Sequence, residues 1–107
     1  MEHRREKAEN LIKEAVAEFI EYNSNRLSMI TITDIKLTSD FKRADIFVTV
    51  FPEDQENAGL DFLKRQRSEA REYLKKHSRL SRIPHIDFSI DKGEKARQRI
   101  DFISQDL

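Results

Sequence analysis

Apolar residues recur along the first part of the chain with helical spacing. Ala8, Leu11, Ile12, Ala15, Val16, Phe19 and Ile20 alternate steps of three and one, which gathers them on one helical face. Ala, Glu and Lys fill most intervening positions and favour helix. The spacing predicts a helix over 4–22, stopped by Asn23, Ser24 and Asn25, residue types that suit turns and helix ends. The period then shortens. Residues 28–38 are dominated by Ile and Thr, which fit a pleated surface. Ile30 and Ile32 share one parity and Ile35 and Leu37 the other, so the phase slips at Thr33-Asp34 and predicts a bulge or bend. Ser39, Asp40, Phe41, Lys42 and Arg43 read as a connection. Beyond it, Ala44, Ile46, Val48 and Val50 alternate with Asp45, Phe47 and Thr49 as in a half-buried strand. Pro52 ends that strand. An antiparallel hairpin is the simplest pairing for two strands so close in sequence.

Residues 53–59 are acidic and polar and read as a loop leading into a helix. From 60 to 80, Leu60, Leu63, Ala70, Tyr73, Leu74 and Leu80 keep helical spacing, but nothing apolar lies between Leu63 and Ala70. A kink or interruption over 66–68 accounts for the gap. Pro84 disfavours helix at Ile83 and closes the segment. Ile86, Phe88 and Ile90 then alternate with polar residues as a third strand. Asp91-Lys92-Gly93 reads as a turn, and 96–107 as a short final helix carrying Ile100, Ile103 and Leu107. The order helix, strand, strand, kinked helix, strand, short helix predicts a two-layer α+β domain. Which strand the third one joins stays open.

Composition narrows the picture. At 107 residues the chain fits one domain, 1–107, with one modest core. The absence of Cys excludes disulfides and thiolate chemistry. No signal peptide is evident and no apolar run nears the roughly 20 residues of a membrane span, so a cytoplasmic protein is expected. The three histidines, His3, His77 and His85, lack metal-ligand spacing. No phosphate-cradling glycine loop or nucleophile motif is present. A non-enzymatic monomer without metal, cofactor or small-molecule ligand is expected. Asp34, Asp40 and Asp45 fit turn capping better than a cation site.

Charge changes the picture more. The net charge is zero, but residues 64–82 hold eight basic side chains against Glu69 and Glu72, a local +6 that the rest of the chain balances with −6. Lys64, Arg67, Arg71, Lys75, Arg79 and Arg82 step by three or four, and Lys76 lies beside them. On a helical wheel they lie away from Leu63, Ala70 and Leu74. Such a stripe can neutralise phosphates and release counterions, with strongly salt-dependent affinity. Arg4 and Arg5, with Lys7, form a smaller cluster that could add a phosphate contact. The plainer reading is a solvated helix face with local pairing to Glu69 and Glu72. Phe41 and Phe47 could stack on bases; core packing is the better account of Phe41, and Phe47 is open. With only Gly59 and Gly93 in the chain, a GxxG nucleotide clamp is excluded, so recognition of RNA shape and backbone is expected.

Residues 29–50 resemble the ribosome-binding factor A family, with Thr31, Thr33-Asp34, Asp40, Ala44 and Val48 in register with its pattern. Two further stretches agree. Arg79-Leu80-Ser81-Arg82-Ile83-Pro84-His85-Ile86-Asp87-Phe88 resembles the family's Arg-rich segment before its last strand, and Arg99-Ile100-Asp101-Phe102-Ile103 its short C-terminal element. The resemblance implies a type II KH-like fold and a ribosome biogenesis factor that binds the small (30S) subunit and its 16S rRNA during maturation and rRNA processing. Where the family has an Ala-x-Gly-type kink, this chain reads Gln66-Arg67-Ser68, followed by Glu69-Ala70-Arg71. The expected RNA-binding residues are Lys64, Arg67, Arg71, Lys75, Lys76, Arg79, Arg82, Arg4 and Arg5. The alternative is an α+β protein–protein interaction module whose basic face meets an acidic partner.

Overall fold

The computed structural model of the chain describes residues 2–23 and 28–105, with side chains over 4–23 and 28–100. The first helix, α1, spans Glu2–Asn23 and buries Ala8, Ile12, Ala15, Val16, Phe19 and Ile20, the face that the spacing predicts. Asn23 Nδ2 donates to the Phe19 carbonyl at 2.8 Å and satisfies one open acceptor of the last turn. Ser24 and Asn25, the rest of the expected stop, lie outside the described residues, as does the side chain of His3.

Strands β1 (Met29–Leu37) and β2 (Arg43–Phe51) form the expected antiparallel hairpin. Register pairs Ile32 with Val48 and then Asp34 with Phe47, so Thr33 is the extra residue of a bulge. That residue resolves the phase slip. Ile30 and Ile32 face Val50 and Val48, Ile35 and Leu37 face Ile46 and Ala44, and all eight lie on the helix-covered side. Strand β3 (His85–Ile90) pairs parallel to β2, which fixes the sheet order as β1-β2-β3.

The acidic stretch after β2 is largely helical and replaces the expected loop. Glu53–Gln55 form one 3-10 turn, and α2 runs Glu56–Arg65. Carboxylates suit a helix start, where backbone N–H groups point outward. Gly59 lies against β2: a Cβ there would meet Val50 Cγ1 at 3.1 Å, so any larger residue would press on that side chain. The helix breaks at Gln66, within the apolar gap, and resumes as α3 over Arg67–His77. It ends three residues earlier than the periodicity predicts, with Ser78 Oγ donating to the Leu74 carbonyl at 2.7 Å. The final helix, α4 (Lys92–Gln105), starts earlier than expected. Asp91 Oδ1 accepts from Glu94 N at 3.0 Å and caps the helix, so Lys92 and Gly93 form its first turn. Ile103 has no described side chain, and Leu107 lies outside the described residues.

The helices α1, α2 and α3 cover one face of the sheet, and Ile12, Val16, Ile46, Val48, Leu63, Leu74 and Phe88 are fully buried between the layers. Tyr73 ties α3 to α1. Its ring lies 5.7 Å from that of Phe19 and its hydroxyl donates to Glu18 Oε1 at 2.8 Å. Desolvation, reinforced by that carboxylate, pushes its pKa up to about 12. His77 stacks on the same ring at 4.0 Å, with its Nδ1 3.2 Å from the Tyr73 carbonyl. Among the described residues no cluster of potential metal ligands exists, and no helix is long and apolar enough to cross a membrane.

Candidate nucleic-acid interface

The break at Gln66 divides the basic stripe, and β3 is the edge toward which its first half folds. Lys64 Nζ lies 3.1 Å and Arg67 Nη1 3.2 Å from Asp87 Oδ1 on β3. Arg43, the first residue of β2, adds Nη2 at 3.8 Å from Asp87 Oδ2 and Nε at 3.2 Å from Asp45 Oδ1. Burial works to raise the Asp87 carboxyl. The Phe88 amide and the Lys64 and Arg67 cations outweigh it and hold the group below its ordinary value. Arg71 is spent on backbone: Nε donates to the Pro84 carbonyl and Nη2 to the Ile83 carbonyl, both at 3.0 Å. It thereby clips the α3–β3 linker onto α3. A cavity of about 430 Å3 opens here, lined by Arg43, Arg67, Ser68, Arg71, His85, Ile86 and Asp87.

Further along α3, Lys75 Nζ contacts Glu72 at 3.4 Å, and Lys76 is exposed with no partner among the described residues. The linker then carries Arg79 and Arg82 toward the start of α1. There Arg4, Lys7, Arg79 and Arg82 surround a cavity of about 530 Å3 whose apolar lining includes Ala8, Leu11, Phe41 and Leu80. None of the described residues lining it is acidic. Arg82 Nη1 donates to the Asp40 carbonyl at 3.4 Å. The Asp40 carboxylate itself is occupied in the turn, accepting from Thr38 Oγ1 at 2.6 Å and Lys42 N at 3.1 Å. The Thr38 hydroxyl above all holds its pKa down. The turn-capping role expected of Asp40 is therefore what the structure contains. Arg5 lies on the other side of α1, in a cavity with Glu6, Glu9, Lys36 and Leu37.

Sequence reasoning ranks Arg43 as connection and leaves Lys7 as a minor neighbour, yet both line these cavities. Phe41 is half-buried against the core, as expected, and also lines the corner cavity. The signal for it is a large apolar residue set in a polar turn. Phe47 sits on the uncovered side of the sheet, with Lys36 Nζ 5.7 Å from its ring centre.

The order α-β-β-α-α-β, the mixed β1-β2-β3 sheet and the broken helix pair define a KH-like α+β domain of the second type, without the glycine clamp. Residues 4–104 match the family model of ribosome-binding factor A, and the chain belongs to that family. It is similar to ribosome-binding factor A of Thermodesulfovibrio yellowstonii, at 30% identity over 99 residues that span 91% of this chain and 84% of the relative. The crystal structure of ribosome-binding factor A from Thermus thermophilus superposes with a TM-score of 0.71 at 25% identity, covering 80% of this chain and 93% of that one. A homology model of the Thermus thermophilus factor, fitted into the cryo-electron-microscopy map of a 30S complex, gives a TM-score of 0.67 at 25% identity. It covers 77% of this chain and 89% of that one.

Proposed function

We propose that this chain is a cytoplasmic, monomeric, non-enzymatic factor that binds the small ribosomal subunit through its 16S rRNA during maturation and rRNA processing. Family membership supports the reading, as does the relative fitted to a 30S complex. The observation that carries it for this chain is the corner where Arg4, Lys7, Arg79 and Arg82 meet around one cavity with no acidic residue in its described lining. Cations without carboxylate partners keep their field for an external polyanion. Lys76 continues the exposed basic face along α3, with Lys75 beside it paired to Glu72, while Arg5 lies across α1 and Lys64, Arg67 and Arg71 shape the β3 edge. The factor would favour an immature rRNA conformation by binding it better than the mature one, because only differential affinity shifts an equilibrium. Co-sedimentation with purified small subunits across a salt series tests this. Retention that falls steeply with salt is expected. No retention at low salt would overturn the reading in favour of an acidic protein partner.

A further inference from the structure

We infer that the corner cavity is a pocket for a single unpaired nucleotide, its base against Phe41 and Leu80 and its phosphates on Arg4, Lys7, Arg79 and Arg82. This rests on the small-subunit reading above and narrows it, from RNA backbone in general to one extruded base. The chemistry of the lining is two-part. The rim is cationic and the floor is apolar, which matches a nucleotide's charged phosphate and flat, weakly polar base. At about 530 Å3 the cavity falls in the range of small-molecule sites. A duplex keeps its bases stacked inside and offers this pocket only phosphate, which would leave the apolar floor in water. A loop, bulge or strand end can supply a base.

Phe41 adds an independent argument. Its φ is 63°, the left-handed region that a bulky side chain rarely adopts. The turn fixes it there, through Phe41 N donating to the Thr38 carbonyl at 2.9 Å and the Thr38–Asp40 contact. Glycine or asparagine would occupy this position with less strain, so the turn keeps a phenyl ring at the cavity at a conformational cost. Arg82, bonded to the neighbouring Asp40 carbonyl, stands beside that ring. The cavity at the β3 edge lacks this combination, since Asp87 already sits among its cations.

The test uses a short oligoribonucleotide with 2-aminopurine at one central position, free and annealed to its complement, titrated into the full chain. The expected result is a rise in fluorescence as the single strand binds and the base leaves its stacked neighbours, at an affinity about ten-fold above that of the duplex. Phe41→Leu keeps the apolar contact but removes the ring face, and should weaken the single strand about ten-fold. Saturable binding without that rise, or equal affinity for strand and duplex, overturns the pocket. Neither outcome depends on a variant that folds. Equal displacement of the oligonucleotide by a polyglutamate peptide also overturns it, in favour of an acidic protein partner. Small-subunit co-sedimentation run in parallel separates the two levels: retention with no fluorescence rise removes the pocket alone, whereas loss of both removes the assembly reading as well.

Discussion

At the β3 edge, Lys64, Arg67 and Arg43 converge on Asp87, and Arg71 holds two carbonyls. At the α1 corner, Arg4, Lys7 and Arg79 meet no carboxylate among the described residues, and Arg82 touches only backbone. Both regions draw on the basic run 64–82, the first adding Arg43 and the second Arg4 and Lys7. They differ in where the charge goes. A cation paired inside the molecule has its field largely cancelled at a distance, whereas an unpaired one projects it to about a Debye length, roughly 8 Å at physiological salt. The cations of the first region pair within the fold, and those of the second keep their charge turned outward.

The largest expected effect separates the two directly. Arg79→Glu with Arg82→Glu should lower small-subunit affinity roughly a hundred-fold, taking about ten-fold for each lost charge-assisted contact. The melting temperature should hardly move, because both residues are exposed. A large drop in melting temperature with binding retained would erase the distinction. Arg71→Ala should do the opposite. It strips the Ile83 and Pro84 carbonyls of their donor, at about 1–3 kcal/mol of stability in denaturant unfolding, with near-normal binding by the folded fraction.

Asp87→Asn is the subtlest and sharpens the comparison most. It releases Lys64, Arg67 and Arg43, at about 1 kcal/mol or less of stability, since these pairs are partly solvated. The freed cations should raise RNA affinity roughly three-fold at low salt. The sign of its pH effect follows from a folded pKa below the ordinary 3.8. Asp87 stabilises the fold fully above that value and loses its contribution as pH falls through the folded pKa. The variant should therefore show a shallower acid limb in a stability–pH curve.

How much of this was legible in the sequence depended on whether the cause was local. Ile30, Ile32, Ile35 and Leu37 announced the bulge, because parity is a property of neighbours. The break at Gln66 showed as a gap between Leu63 and Ala70. The fate of the cations did not show. Asp87 lies 23 positions from Lys64 and 20 from Arg67, and a helical wheel cannot see a carboxylate on the adjacent strand. Arg71 looked like part of a solvent face because its acceptors are main-chain oxygens, which carry no sequence signature. The parallel seat of β3 beside β2 was hidden for the same reason. The acidic stretch after Pro52 reads as loop because polarity marks a loop and the start of a helix alike.

Thr33 also carries a consequence for how this gene can vary. Its hydroxyl donates to Asp91 Oδ2 at 2.6 Å, the carboxylate that caps α4, and lies 3.3 Å from the Phe47 carbonyl, so most replacements would cost those contacts and little else. Loss of the codon is a different event. With one residue fewer, the two halves of β1 would alternate without interruption, and one apolar pair, Ile30 with Ile32 or Ile35 with Leu37, would turn outward. The position should tolerate many spellings and no omission.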